Sequence, residues 1–157
     1  MIRWIGAIFL GLTACTTPDL ASFRDPNALL SATTRFVPDR FAGEWTIVAS
    51  FARDGTTAPK GVLRFAFDPV SGRMMQGEKS YTIPRPGVLE TAGNQAETLV
   101  VMWVDTGFRT AVIGTKDGRS GAILNRGASI SKDRFIAAKD ILEFYGWDIS
   151  QLVEVST

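Results

Sequence analysis

The 157-residue chain contains no histidine. That absence excludes Ser-His-Asp catalysis and a histidine-ligated metal. There is one cysteine, Cys15, so no disulfide can form within the chain. An excess of charge is missing as well. Lys and Arg number 17 and Asp and Glu 16, and such a balance points to neither nucleic acid nor an acidic partner. No complete phosphate loop is present: Gly114-Thr115-Lys116 lacks the rest of the motif and reads as a turn. No spacing of carboxylates singles out an acid–base pair. These absences favour a binding module over an enzyme, with no cofactor and no metal.

At the N-terminus, Arg3 precedes an apolar run from Trp4 to Leu12. The run is too short to span a bilayer, which takes about 20 residues. A charged start, a short apolar core and a small residue before Cys15 describe a secretory signal over residues 1–14. The alternative, a core helix with a buried cysteine, fits the extreme N-terminal position poorly. Leu12-Thr13-Ala14-Cys15 resembles the bacterial lipobox, in which the cysteine is lipidated and becomes the new N-terminus. That resemblance implies a membrane partner, reached through acylated Cys15. Thr16 and Thr17 follow it, with no Asp to mark inner-membrane retention, so the expected place is the outer membrane of a bacterial envelope, facing the periplasm. Loss of Arg3 with the signal leaves 16 basic against 16 acidic residues. An exported domain without a bridge depends on its core, and about 140 residues suffice for one.

Residues 15–39 contain Pro18, Pro26 and Pro38 and read as a tether. Its apolar Phe23, Leu29, Leu30 and Phe36 are expected to pack in part on the domain that follows, residues 40–157. In that domain Trp45, Ile47, Ala49 and Phe51 alternate with Thr46, Val48 and Ser50. Period two predicts a half-buried strand. Further strands are predicted at 61–67, 73–83 (with Gly77 as a bulge), 88–91, 97–104, 109–114 and 121–125. Turn chemistry separates them at Asp68-Pro69-Val70-Ser71-Gly72, Pro84-Arg85-Pro86-Gly87 and Lys116-Asp117-Gly118. Ser131 then caps a helix whose Phe135, Ala138, Ile141, Leu142 and Tyr145 share one face, and Gly146 stops it. Leu152, Val153 and Val155 are expected to add a short closing strand.

Gly43-x-Trp45 opening the first strand, the Asp105-centred turn between two late strands, and Arg126 closing the last strand before a helix resemble the lipocalin family. Within it the likeness is to the bacterial outer-membrane lipoprotein branch. The resemblance covers roughly residues 40–155. It implies an all-β fold: an up-and-down antiparallel β-barrel of nominally eight strands, with one C-terminal α-helix packed outside. The count above gives seven, so either one predicted strand is two or a hairpin is trimmed. The resemblance assigns structural roles to Gly43, Trp45, Asp105 and Arg126. Trp45 would plug the closed end, Arg126 would lie across its ring, and Asp105 would cap the turn before Phe108, where the family usually has Tyr.

Alternation then nominates a ligand-binding calyx. Ile47, Ala49 and Phe51 continue the Trp45 face, and Leu63, Phe65 and Phe67 line the second strand. Met74 and Met75 are adjacent flexible thioethers, of which one is expected to face inward, and Ala122 and Leu124 share the direction of Arg126. The function this implies is a lipid-anchored protein that binds, stores or transports a small hydrophobic ligand, a fatty acid or a lysophospholipid. The alternative is a barrel filled by these side chains that binds a partner protein instead.

Overall fold

The computed structural model describes residues 22–53, 55–93, 96–127 and 129–155. The expected signal and Cys15 lie outside the described residues. A one-turn helix, α1 (Pro38–Phe41), leads into β1 (Gly43–Phe51). Then come β2 (Gly61–Asp68), β3 (Arg73–Gln76), β4 (Lys79–Arg85), β5 (Val88–Thr91), β6 (Thr98–Val104), β7 (Thr110–Thr115) and β8 (Gly121–Asn125). Helix α2 (Lys132–Phe144) and a short β9 (Leu152–Glu154) complete the chain.

Each strand pairs antiparallel with the next, and β8 returns to β1, with Leu124 opposite Ile47. The eight strands therefore close into a barrel, and closure removes the open edges that invite aggregation. The expected single strand over 73–83 is a hairpin. Gly77 adopts φ +58°, a left-handed conformation that glycine takes without penalty, and the chain reverses there so that Gln76 faces Lys79. This supplies the eighth strand.

Among the described residues the ladder has three irregularities, one of them in β4 between Thr82 and Arg85, and those in β1 and β6 decide which residues of the cavity strands face inward. In β1, Ile47 sits opposite Leu124 while Ala49 sits opposite Ile123, so Val48 is an extra residue. In β6, Val101 opposes Ile113 and Trp103 opposes Val112, leaving Met102 extra. An added residue shifts the two-residue period by one and turns the rest of the strand over.

The core has two layers. The inner one fills the lower lumen with Trp45, Phe65, Met74, Leu89, Val101 and Leu124 among others. The outer one lies between the barrel wall and α2, which buries Ala138 and Leu142. Ser131 stands at the N-cap position in extended conformation but makes no side-chain cap bond; its hydroxyl accepts from Arg134 Nε at 3.0 Å. Gly146, at φ +80°, ends the helix as expected. Strand β9 pairs with Ala49–Phe51 on the edge of β1 that β2 vacates after Ile47.

The segment read as a tether is packed on the wall from Ser22 onward. The Phe23 amide donates to Gly118 O at 2.8 Å, the Asp25 amide to Gly146 O at 2.9 Å and the Thr33 amide to Val101 O at 2.9 Å. Phe23 and Phe36 are buried, whereas Leu29 is exposed. Trp147, in the same outer layer as Phe23, packs against Gly114 and Gly121, where any added Cβ would meet its ring at 2.3 and 2.6 Å.

Candidate functional site

The barrel has two unlike ends. At the closed end the one-turn helix α1 places Phe41 against Trp45, and the Trp45 indole donates to Phe41 O at 2.7 Å. Phe36 and Phe65 extend this aromatic stack. The Arg126 guanidinium lies 3.9 Å over the Trp45 ring, a contact that contributes about 0.5–2 kcal/mol. Its Nη atoms donate to the carbonyls of Arg40, Phe41, Ala42 and Glu44 at 2.8–3.0 Å. Burial pulls the Arg126 pKa below its ordinary value. Gly43 belongs to this arrangement: at φ +110°, its missing Cβ leaves room for Arg126 Nη1, which a methyl would meet at 2.6 Å.

Asp105 organises the adjacent turn. Its carboxylate accepts from the amides of Arg109 and Thr110 and from Arg109 Nε. Burial pushes this carboxyl up, but those amides and the guanidinium outweigh it and hold it below the usual carboxylate range. Phe108 takes φ +54°, a conformation that costs a non-glycine residue about 1–3 kcal/mol. Arg40 covers its ring at 4.0 Å.

The other end is open. Between the inner cluster and the mouth is a cavity of about 210 Å³. Its floor and wall include Ile47, Leu63, Phe65 and Ala122 of the predicted calyx, joined by Leu99 and Ile113. Phe67, Met74 and Leu124 also belong to the inner cluster, outside the cavity lining. Three of the nominated residues do not face the lumen. Ala49 and Phe51 lie in the outer layer under Trp147 and α2, because the Val48 bulge reverses their direction and turns Ser50 inward instead. Met75 occupies the face of β3 opposite Met74 and joins neither cluster. A wider hollow of about 810 Å³ lies along the rim between the β5–β6 loop and the β7–β8 turn. Its lining is mostly polar or charged, and it is an open dish rather than a lumen.

At the cavity mouth four side chains form a network that the strand pattern did not single out. The Tyr81 hydroxyl donates to Glu97 Oε1 at 3.1 Å and to Gln76 Oε1 at 3.3 Å. Lys79 Nζ donates to Glu97 Oε2 at 2.9 Å and Oε1 at 3.1 Å. Tyr81 is wholly buried. Burial, then the Glu97 charge and hydrogen bond, raise its pKa far above the ordinary tyrosine value, so the phenol stays neutral and is no base. A signal for Glu97 existed: it lies two residues before inward-facing Leu99 and so shares its direction. Among the described residues no group of three or more acidic, histidine or cysteine side chains could hold a metal ion.

No family model matches the sequence, and neither does any curated protein. Solved structures do. Lipocalin 12 from rat epididymis superimposes with a TM-score of 0.61 at 15% identity, over 85% of this chain and 91% of that one. Lobster apocrustacyanin A1 gives 0.54 at 15% identity, over 76% and 78%. Apocrustacyanin C2 gives 0.53 at 12% identity, over 83% and 89%. Identity this low leaves the backbone to carry the likeness, and what the backbone shows is a lipocalin fold: a closed eight-stranded antiparallel β-barrel with a C-terminal helix packed outside.

Proposed function

We propose that this chain is a binding protein rather than an enzyme, and that it holds a small hydrophobic ligand in the barrel lumen. One observation carries the reading: an apolar-floored cavity, open at one end and about 210 Å³ in volume. Ligand pockets usually run to about 300–1,000 Å³, so the occupant is a short chain or one end of a longer one. The ligand classes in this reading are a fatty acid or a lysophospholipid. The filled-barrel alternative describes only the lower lumen, where Trp45, Met74, Leu89 and Leu124 are wholly buried. Mass spectrometry of an organic extract of the purified protein tests the reading. A copurifying amphiphile is expected; its absence, together with no calorimetric response to any amphiphile, would defeat it.

The lipobox-like end supports a second part of the proposal, a bacterial outer-membrane lipoprotein acylated at Cys15. Each buried methylene contributes about 0.8 kcal/mol, so multiple acyl chains anchor stably without a spanning helix. Seven positions separate Cys15 from Ser22, a reach of at most about 25 Å. Ser22 rests against Gly118 in the β7–β8 turn, at the mouth. In this reading an anchored Cys15 therefore holds the open end near the bilayer. Labelling with radioactive palmitate, and its loss in Cys15→Ser, is the expected result. Unlabelled wild-type protein in the soluble periplasmic fraction would refute the anchor.

A further inference from the structure

The mouth network bears on which head group the lumen accepts. Of the four hydroxyls that line the cavity, those of Tyr81, Ser50 and Thr115 direct their protons at protein acceptors. Tyr81 donates to Glu97 and Gln76, Ser50 to Pro59 O at 2.5 Å, and Thr115 to Asp117 Oδ1 at 2.6 Å. A hydroxyl that has given up its proton presents only lone pairs. The carboxylate of Glu97 and the carbonyl oxygen of Gln76 add further acceptors on the same rim. The cation among the lining residues, Lys79, makes both its side-chain hydrogen bonds to Glu97. It is also the more solvent-exposed partner of that pair, 52% against 32% for Glu97. The polar surface nearest the apolar floor is therefore rich in acceptors, and the Glu97 carboxylate on it is balanced by Lys79 from the more exposed side. Burial first, and then the Glu97 charge and hydrogen bond, raise the Tyr81 pKa, so a second anion beside Glu97 is disfavoured.

We propose that the lumen selects an amphiphile whose head group donates hydrogen bonds, a hydroxyl or an ammonium, and discriminates against an ionised carboxylate. This rests on the lumen being a ligand site at all. Of the two ligand classes above, a lysophospholipid carries an ionised phosphate but also a free glycerol hydroxyl that can donate, whereas the carboxylate is the whole head group of a fatty acid and would sit beside Glu97. The apolar tail occupies the floor formed by Ile47, Leu63, Phe65 and Leu99. The head remains at the rim, beside Glu97 and Gln76.

The test is isothermal titration of the full chain carrying Cys15→Ser with 1-octanol, octylamine and octanoate at neutral pH. The three probes share one tail and differ in the head. Octanol and octylamine are expected to bind at least about tenfold tighter than octanoate, the ratio that one charge-assisted hydrogen bond supplies. In Glu97→Gln the preference for octylamine over octanoate is expected to shrink by about tenfold. In Lys79→Gln, which removes the competing cation, octylamine is expected to bind tighter than to the parent chain. Octanoate binding as tightly as the other two would overturn the head-group inference and leave the lumen a ligand site. A ratio unchanged by Glu97→Gln would overturn it as well. Failure of all three probes to bind would instead bring down the reading of the lumen as a site, and the inference with it.

Discussion

The two ends of this barrel are built from different bonds. At the closed end, side chains are tied to backbone: Arg126 donates to four carbonyls within residues 40–44, and Asp105 accepts from two amides. At the mouth, side chains are tied to side chains: Tyr81, Glu97, Lys79 and Gln76 bond to one another. Backbone partners cannot move without moving strands, so the closed end fixes the fold. Side-chain partners can exchange with a guest, so the mouth is free to serve one. The contrast teaches where this molecule tolerates change.

The contrast can be broken most severely at Trp45. Trp45→Ala removes a wholly buried indole together with its bond to Phe41 O. A loss of about 3–5 kcal/mol is expected, read as a lower urea midpoint. A loss under about 1 kcal/mol would show that the stack is not what closes this end.

Next comes Arg126→Lys. A lysine keeps the charge but cannot present a planar fork to four carbonyls. About 1–3 kcal/mol should be lost, because the part-buried carbonyls of Phe41 and Ala42 are left without this donor. Full retention of stability would mean that charge over the Trp45 ring suffices.

A smaller effect, with a pH signature, is expected at Asp105. Its folded pKa lies below the unfolded value. The stability it contributes is therefore present above the unfolded pKa of about 3.9, and is lost as pH falls through the folded value. Asp105→Asn should cost about 1.5–3 kcal/mol at neutral pH and leave less stability to lose between neutral pH and acid. A wild-type acid limb as flat as the variant's would contradict the assignment.

The smallest effect sharpens the comparison from the other side. Lys79→Gln at the mouth breaks a half-exposed ion pair and should shift stability by no more than about 0.5–1 kcal/mol. A change comparable with that at Arg126 would erase the difference between the two ends.

Much of the closed end could be read through the family resemblance. Gly43 two residues before Trp45, the turn at Asp105, and Arg126 at the end of a strand are the motifs that carry that resemblance, and the structure brings all of them to one end. The mouth was less legible. Ala49 and Phe51 share the parity of Trp45, yet face outward, because one unpaired residue at Val48 reverses the strand. Nothing in Ile47-Val48-Ala49 marks that residue, since all three suit either face. The helix-facing side of the wall is as apolar as the lumen side, so hydrophobicity could not tell the two apart.

What the sequence alone determined is the class of fold: period-two alternation, hairpin turns, and a single amphipathic helix after the last strand are local patterns set by backbone geometry. It also determined the chemistry that is absent, since no fold can supply a histidine. Only the tertiary structure decided the direction of each side chain past a bulge, the split of residues 73–83 into two strands, and the packing of residues 22–36 on the wall. It alone joined Tyr81, on β4, to Glu97, just before β6, across the mouth. The physical reason is that these outcomes depend on strand register and barrel closure. Both are set by pairings between residues far apart in the chain, and alternation within one strand carries no record of them.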